Sequence, residues 1–380
     1  MGFSAVQRIV GFLIAASSLM MLPPVLVSFF YDDGTATLFL VSAAILLIAG
    51  LVIYFPVRNA RRDLRLRHGF LIVVCAWLAW VLVGALPFVL LSTPDLSYID
   101  AVFESMSGLT TTGATIVTDI DALPRAVLYY RQQLQWLGGM GIIVLAVAIL
   151  PMLRVGGMQL YRAETPGPMK DAKLTPRITE TAKALWLIYF GITLTCIFAY
   201  WLAGMKLFDA VGHAFSTVAI GGFSTHNDSL AFWNNPTVEA VAIIFMAIAG
   251  INFALHFTAW RRASAQPYFF DPELKVYAFL LAAFAILVSF ALYLSGTFGT
   301  LSSSFRYGTF QVVSAMTTTG FTTAPFYEWT GFLPVLLICI AFIGGCAGST
   351  AGGMKVIRVI LLYRQSIREV RRLIHPHAII

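Results

Sequence analysis

One short pattern of serine, threonine and glycine occurs three times in this chain, at intervals of about 100 residues. Its three copies cover residues 107–115, 216–225 and 314–323. When the copies are aligned on Gly113, Gly222 and Gly320, each has a serine six residues before the glycine. A unit of this size that is used repeatedly restricts the possible folds more than any other feature of the sequence.

The chain is too apolar to be a soluble domain. Of its 380 residues, 59% are hydrophobic and 11% are charged, whereas soluble domains carry roughly 25% charged residues. Six apolar runs have about the 20 residues that a helix needs to cross a bilayer, and two longer runs are interrupted by glycine. The first run is longer than the apolar region of a signal peptide and lacks a small-residue cleavage site, so we interpret it as a retained span. We therefore predict eight spans, at residues 10–30, 37–55, 69–91, 126–153, 182–202, 238–257, 276–294 and 332–362.

The net charge of +7 comes from basic residues that lie between alternate spans. All but four of the 25 lysines and arginines fall in the N-terminus, in the loops 57–68, 154–183 and 259–275, or from Lys355 onward. This is the positive-inside pattern of a multi-pass membrane protein, and it argues against a nucleic-acid partner. We predict a cytoplasmic N-terminus and an outward position for the three repeated stretches. For the arginine-rich loop 57–68 we expect contact with anionic lipid, with a regulatory partner surface as the alternative. The four basic residues predicted at the outer ends of spans are Arg125, Arg131, Lys206 and Arg306.

Each repeated stretch follows a segment that is too short to cross the membrane, at residues 98–109, 208–218 and 305–316. A short helix that enters the bilayer and returns is re-entrant, and non-helical backbone beside it is tolerated only where protein buries it or it lines a water-filled path. A span precedes each short helix, and another follows each Thr/Gly stretch. The sequence thus predicts an all-α polytopic membrane protein with a leading helix pair and three span–pore-helix–span units around one ion pore. The predicted boundaries are 1–68 for the pair and 69–165, 166–265 and 266–380 for the units.

The Thr/Gly stretches have the chemistry of a cation site. Threonine and serine favour extended backbone, while glycine permits the dihedral angles that turn successive carbonyl groups to one side. A short helix that ends just before them directs the negative end of its dipole at the same point. Rings of backbone carbonyls replace the water shell of potassium in channel filters. One such stretch alone would more simply be a loop, but three in register favour ion coordination.

These residues resemble the Trk/Ktr/HKT potassium transporter superfamily, and the leading helix pair is most similar to its TrkH/TrkG branch. The resemblance rests on TTTG at 110–113, AIGGFSTH at 219–226, TTTGFTT at 317–323 and GGCAGSTAGGMK at 344–355. Some sodium-favouring members have serine at the first filter glycine, so glycine in all three stretches resembles the potassium-selective pattern. The resemblance implies that K+ binds at the filter residues Thr110, Thr111, Thr112, Gly113, Ala219, Ile220, Gly221, Gly222, Thr317, Thr318, Thr319 and Gly320.

The same resemblance implies an assembly and a location. Members of the superfamily arrange four units around one pore, associate as homodimers and are gated by a cytosolic nucleotide-binding ring of the TrkA type. Members of this branch carry K+ across the bacterial cytoplasmic membrane, and no covalently bound cofactor is implied. Three units are found in these 380 residues, so we expect the chain to be a truncated form that lacks the fourth.

The last predicted span contains five glycines, which together cost about 5 kcal/mol of helix propensity relative to alanine. Helix packing through a small-xxx-small pair explains Gly348 and Gly352, whereas a non-helical segment under the filter explains all five. The matching segment of the superfamily is an intramembrane gating loop. Lys355 either faces water or a partner, or extends its side chain to the cytoplasm. The predicted gate residues are Gly344, Gly345, Gly348, Ser349, Thr350, Gly352, Gly353 and Lys355.

Other polar residues near the repeated stretches have weaker assignments. Glu104 and His213 both stand nine residues before a filter glycine, and we expect them to support the filter through hydrogen bonds. His226 and Asp228 follow the second filter, where we expect them to concentrate cations. The cysteines lack metal-ligand spacing, so they are predicted to be packing residues without disulfides. They are Cys75, Cys196, Cys339 and Cys346.

A membrane-embedded enzyme and a carrier for an organic solute are the alternative functions. An intramembrane enzyme needs acid, base or metal ligands at one depth, but the acidic residues are almost all in loops and no His-Glu-x-x-His motif occurs. A carrier predicts inverted repeats, whereas these repeats run parallel, each beginning on the same side. We therefore predict a potassium pore and not an enzyme.

Overall fold

The structure, a computed structural model, describes residues 3–59, 66–149 and 178–374. These residues form helices joined by turns and loops, as the predicted all-α class requires. Half of the predicted basic loop 57–68 (residues 60–65) and residues 154–177 of the loop 154–183 lie outside the described residues. In chain order the α helices are α1 (Phe3–Ser17), α2 (Leu22–Tyr31), α3 (Ala36–Tyr54), α4 (Leu66–Gly84), α5 (Leu86–Val89), α6 (Tyr98–Leu109), α7 (Arg125–Ile149), α8 (Ile178–Leu202), α9 (Leu207–Ala219), α10 (Pro236–Ala249), α11 (Phe253–Arg262), α12 (Gln266–Phe270), α13 (Pro272–Leu294), α14 (Leu301–Met316), α15 (Leu333–Ala341) and α16 (Val356–Ile374).

Six of the eight predicted spans have counterparts among the described helices. A seventh, predicted at 126–153, corresponds to α7, and the last four residues of that prediction lie outside the described residues. Helices α10 and α11 meet at 92° and make one bent span if they are counted together. The five unbroken segments that are long and apolar enough to cross a membrane are Ser4–Tyr31, Ala36–Val57, Leu71–Val89, Lys183–Leu202 and Pro272–Leu294.

The predicted span 332–362 is only in part an apolar helix. Helix α15 has nine residues and ends at Ala341, far short of a bilayer. Helix α16 continues to Ile374 and is amphipathic, because five arginines interrupt its apolar positions. Its exposed arginines are Arg358, Arg364, Arg368, Arg371 and Arg372.

Helices α6, α9 and α14 are the three predicted half-length helices. Helix α6 has the predicted bounds, whereas α9 and α14 begin earlier than expected. The start of α14 is fixed by Thr300, whose hydroxyl oxygen accepts a hydrogen bond from the Ser303 amide at 3.1 Å. Ser97 caps α6 in the same way through the Asp100 amide at 3.2 Å. These N-caps explain where α6 and α14 start, whereas α9 begins after Lys206 without a side-chain cap.

The second span of one unit packs against the short helix of the next. Helix α7 contacts α9, and α10 contacts α14. The larger apolar clusters follow the same order along the chain, with one centred on α1–α7, one on α8–α11 and one on α13–α16. The repeated units therefore follow one another in space as well as in sequence.

The second span of every unit is interrupted at the same distance after the filter glycine. Helix α7 has non-helical backbone at Gly141, with φ of 67°. Helices α10 and α11 are separated at Gly250, and α15 and α16 are separated by a loop that contains Gly348. The repeat thus includes a break in the helix as well as the Thr/Gly stretch.

Candidate ion filter and gate

The three Thr/Gly segments, residues 110–113, 219–222 and 317–320, lie side by side in the structure. A Cβ added to Gly113 would come within 2.1 Å of the Gly221 carbonyl oxygen. A Cβ added to Gly222 would come within 2.0 Å of the Thr319 carbonyl oxygen. Each segment therefore touches the next in chain order, and a side chain at either contact would clash with backbone.

All three segments have left-handed backbone at the same two positions. The φ angles of Gly113, Gly222 and Gly320 are 77°, 79° and 86°. Two residues earlier, Thr111, Ile220 and Thr318 have φ of 55°, 56° and 63°. A positive φ at a β-branched residue is a genuine outlier, so its occurrence in all three units indicates a shared backbone conformation.

The short helices hold this conformation through the same hydrogen bond. The residue before each filter glycine donates its amide proton to the serine carbonyl five residues earlier. These bonds are Thr112 to Ser107 at 2.9 Å, Gly221 to Ser216 at 2.8 Å and Thr319 to Ser314 at 2.8 Å. The serines that revealed the repeat therefore join the last helical turn to the left-handed segment.

The predicted filter residues differ in burial. Thr317 and Thr319 are fully buried, whereas Thr110 and Thr112 are exposed. The hydroxyl oxygens nevertheless lie 2.7 Å apart within each of these two pairs. The hydroxyl pair is therefore a property of the Thr-x-Thr segment and does not depend on its surroundings.

Polar residues of α7 hold the second segment from the side. Gln135 Nε2 donates to the Gly221 carbonyl at 2.6 Å, and Gln135 Oε1 accepts from the Phe223 amide at 3.1 Å. Gln132 Oε1 accepts from the Ser216 hydroxyl. The sequence did not single out these glutamines, although polar residues inside a predicted span are a signal of function.

Glu104 makes the expected supporting hydrogen bonds, and its main partner is an arginine. Its carboxylate accepts from Arg131 Nε at 2.7 Å, from the Thr115 hydroxyl at 3.0 Å and from the Ile116 amide at 3.1 Å. Neither Glu104 nor Arg131 is exposed. The position predicted for Arg131, at the outer end of a span, stays a prediction, and its side chain is buried and paired rather than solvated.

His213 occupies the place of Glu104 in the second unit. Its Nε2 lies 3.0 Å from the Ser224 hydroxyl oxygen, and its Nδ1 lies 2.8 Å from the Asp209 carbonyl. The ring is fully buried and packs edge-on against Trp233. His213 thus links the second short helix to the loop that follows the second segment.

Asp121, His226 and Asn227 connect the first and second units; we call this group the outer linker, after the outward position predicted for it. His226 Nδ1 lies 2.6 Å from Asp121 Oδ1, and the Asn227 amide donates to Asp121 Oδ2 at 3.1 Å. Burial acts to raise the pKa of Asp121. Hydrogen bonds from His226 and Asn227, together with the positive charges of His226 and Arg125, outweigh burial and lower the pKa below its ordinary value of 3.8. Asp228 is exposed. His226 is therefore engaged in this linker, and cation concentration by His226 and Asp228 stays a prediction.

The loop between α15 and α16, residues 342–355, is non-helical as the glycines predicted; we call it the glycine loop. Its two ends meet, since a Cβ on Gly344 would lie 2.2 Å from the Gly352 carbonyl oxygen. Gly344 and Gly353 both have φ of 76°. The Met354 amide donates to the Phe342 carbonyl at 2.9 Å. Glycine is thus required where the loop closes on itself.

The glycine loop contacts the second and third units at their Thr/Gly segments. Thr350 Oγ1 donates to the Val218 carbonyl, at the end of α9, at 2.9 Å. The Gly352 amide donates to Thr318 Oγ1 at 2.7 Å. Ala351 packs with Ile220. The structure therefore brings the predicted gate and two of the predicted filter segments into direct contact.

Two charged residues hold the base of the glycine loop. Lys355 is buried, and its ammonium group donates to the Ala351 carbonyl, so this side chain does not extend away from the loop. Glu273 Oε1 accepts from the amides of Ala347 at 2.8 Å and Ile357 at 2.9 Å. The sequence did not single out Glu273, because an acidic residue in the first turn of a helix resembles an ordinary N-terminal charge.

The four cysteines are free thiols. Cys196 and Cys346 are buried, as packing residues should be, whereas Cys339 is exposed on α15. Within the described residues, no group of three or more His, Cys, Asp and Glu side chains is arranged to hold a metal ion. The candidate site thus consists of backbone carbonyls, hydroxyls and the glycine loop.

Known proteins resemble this chain over its whole length. The family model described as TrkH, cation transport protein, matches residues 37–380. The Trk system potassium uptake protein TrkH of Halomonas elongata is 54% identical over 380 residues, which are 100% of this chain and 79% of that protein. The Trk system potassium uptake protein TrkG of Escherichia coli K12 is 41% identical over 342 residues, which are 90% of this chain and 70% of that protein. The crystal structure of the potassium transporter TrkH from Vibrio parahaemolyticus matches with a TM-score of 0.90 and 46% identity, covering 100% of this chain and 78% of that one. From these matches we conclude that this chain belongs to the TrkH family of cation transport proteins.

Proposed function

We propose that this chain is the pore-forming subunit of a Trk-type potassium uptake system. Its relatives are named as potassium uptake proteins, and the family consists of transporters and not of enzymes. The alternative of a membrane-embedded enzyme is therefore set aside, and the parallel repeats argue against a carrier for an organic solute. The chain is a multi-pass protein of the bacterial inner membrane.

The observation that carries the proposal is the shared left-handed backbone of three adjacent segments. Positive φ at two positions of a segment, such as Thr318 and Gly320, turns successive carbonyl oxygens to one side of that segment. Oxygens that face one path replace the water shell of K+ as it passes. In this proposal K+ binds at residues 110–113, 219–222 and 317–320 and is the transported ion.

The glycine loop is proposed to be the gate. Its contacts with Val218 and Thr318 support a position next to the filter, where the loop obstructs the path at rest. Its glycines leave little side-chain bulk to be displaced when it moves. The gate residues in this proposal are Gly344, Gly345, Gly348, Ser349, Thr350, Gly352, Gly353 and Lys355.

The assembly is proposed on chemical grounds. The relatives' names refer to a Trk system, which supports partnership with other components. We infer a homodimer with a cytosolic nucleotide-binding ring of the TrkA type, and the exposed arginines of α16 favour contact with an acidic surface.

The basic loops between alternate spans support a cytoplasmic N-terminus. The boundaries 1–68, 69–165, 166–265 and 266–380 are proposed for the helix pair and the three units.

Ion flux into vesicles tests the proposed function. The full-length gene product, reconstituted into lipid vesicles, should admit K+ faster than Na+ down equal gradients, while vesicles without protein admit neither. Organic solutes of similar size should not enter. Protein that is folded in the vesicles but gives no cation flux, with or without its cytosolic partner, would overturn the proposal.

A further inference from the structure

The Glu104–Arg131 ion pair lies behind the first and second Thr/Gly segments and has no exposed surface. Burying two charges costs several kcal/mol for each ion, and their attraction often does no more than offset that cost. A pair of this kind is therefore weak evidence for stability. A more specific role for such a pair is to fix the positions of the groups around it, and here those groups belong to two filter segments.

Arg131 holds groups from two units at once. In its own unit, Nε donates to Glu104 at 2.7 Å and Nη2 donates to Thr115 Oγ1 at 3.0 Å. In the second unit, Nη1 donates to the Ser224 carbonyl at 3.4 Å, and the guanidinium carbon lies 4.2 Å from the centre of the Phe223 ring. Thr115 and Ser224 each stand two residues after a filter glycine, so one planar group joins equivalent points of two neighbouring segments.

A second ion pair joins two units without touching a Thr/Gly segment. Arg306 Nη2 donates to Glu239 Oε1 at 2.6 Å and Arg306 Nε to Oε2 at 2.7 Å, which connects α14 to α10. Arg306 Nη2 also donates to the Asn234 side-chain oxygen at 3.0 Å. The two pairs share residue types, and each includes an arginine that contacts a neighbouring unit. Arg131 makes that contact with the residues after the filter glycine, whereas Arg306 makes it with Glu239 and Asn234.

We propose that Glu104 and Arg131 are positioning residues that set the spacing of the first two filter segments and thereby the preference for K+ over Na+. The proposal rests on the proposed function. Discrimination by a carbonyl filter depends on the size of the ring and on the number and field of its oxygens. A guanidinium fixes both segments through its planar fork and its stacking on Phe223, which a lysine ammonium does not reproduce. Positive charge alone is therefore not sufficient at this position.

The test compares conservative variants of the two ion pairs. Arg131→Lys and Glu104→Gln would be prepared in the full-length protein, with Arg306→Lys and Glu239→Gln as matched controls. K+ and Na+ fluxes would be measured in the same vesicles, because their ratio does not depend on how many copies are folded. We expect the K+/Na+ ratio to fall about tenfold in both filter-side variants, the effect of losing a hydrogen bond to a charged group, and to stay unchanged in both controls.

Each outcome decides the inference. An unchanged ratio in Arg131→Lys would overturn it, because a pair that only stabilises the fold is rescued by a second cation. An equal fall in Arg306→Lys would also overturn it, because any inter-unit pair would then have the same effect. If Glu104→Gln does not fold, Arg131→Lys alone decides. Absence of K+ flux in the unaltered protein would instead contradict the proposed function, so the two failures can be distinguished.

Discussion

Strain is concentrated at one residue in each Thr/Gly segment. Thr111, Ile220 and Thr318 are β-branched and left-handed, a conformation that costs on the order of 1–3 kcal/mol and persists only where the surroundings enforce it. The serine carbonyls at the ends of the short helices supply one such constraint. The contact of Thr318 with Gly352 supplies another in the third unit. The backbone of these segments is thus preorganised, as the proposed filter requires.

The filter glycines are expected to control ion selectivity. A side chain in Gly113→Ser would lie 2.1 Å from the Gly221 carbonyl oxygen, so the first and second segments would have to separate. We expect the K+/Na+ flux ratio in vesicles to fall about tenfold, equivalent to about 1.4 kcal/mol of lost discrimination.

Gly34→Ser is the matched control for this change. Gly34 also has left-handed backbone, with φ of 74°, but a Cβ there would meet no described atom within 4 Å. The control reproduces the backbone strain outside the filter and should leave the flux ratio unchanged. A ratio unchanged in Gly113→Ser as well, at normal expression, would remove Gly113 from the filter.

At the scale of elements, the sequence predicted what depends on local patterns. Helix α6 was predicted with its observed bounds, because a segment too short to cross lies between a span and a Thr/Gly stretch. The glycine loop was predicted because five glycines cannot continue an apolar helix at low cost. The roles of Arg131 and Glu273 could not be predicted in this way. Their partners are distant in sequence, and only the packing of units reveals that these charges are buried.

We expect Thr350 to contribute more than Ser349 to holding the glycine loop closed. Thr350→Val removes the donor to the Val218 carbonyl and so weakens the attachment of the loop to α9. Loss of one such bond is worth about 1 kcal/mol, or about fivefold in the ratio of open to closed loops. We therefore expect K+ flux through the full-length protein to rise severalfold in vesicles without the cytosolic partner.

Ser349→Ala is the control for the loop variant. The Ser349 hydroxyl donates to the Cys346 carbonyl within the loop, at 2.6 Å, and so the variant leaves the attachment to α9 intact. Its basal flux should rise less than that of Thr350→Val, because the attachment of the loop to α9 is kept. Equal flux in the two variants would indicate that Thr350 does not anchor the loop to the short helix.

At the scale of the whole molecule, similar units are joined by dissimilar contacts. The first and second units are connected by Arg131, which contacts Ser224 and Phe223, and by Asp121 in the outer linker. The second and third are connected by Arg306 and Glu239. The repeats in the sequence predicted the number and order of these units. They could not predict the contacts between them, because each contact uses residues that the other units lack.

The contribution of the outer linker to the stability of the molecule is expected to depend on pH. Asp121 has a pKa below its ordinary value of 3.8, because hydrogen bonds from His226 and Asn227 and nearby positive charge outweigh its burial. A carboxyl with a lowered pKa in the folded state stabilises that state above 3.8, and the contribution disappears as the pH falls through the folded value. The side chain is 45% exposed, so solvent screening limits the contribution to about 1 kcal/mol at most.

Asp121→Asn is therefore expected to lower the Tm of the detergent-solubilised protein by a few degrees at most at about pH 7, and by progressively less as the pH approaches about 3. The sign follows from the lowered pKa: at neutral pH the variant loses an ionised partner of His226, whereas in acid Asp121 itself becomes neutral. Asp228→Asn is the control, because Asp228 is exposed near the same linker and its removal should leave the Tm unchanged. If the difference in Tm between Asp121→Asn and the unaltered protein persists in acid, the charge of Asp121 is not the cause, and the shape and packing of its side chain matter instead. An equal loss in Asp228→Asn would mean that net charge, and not the link between the units, sets the stability.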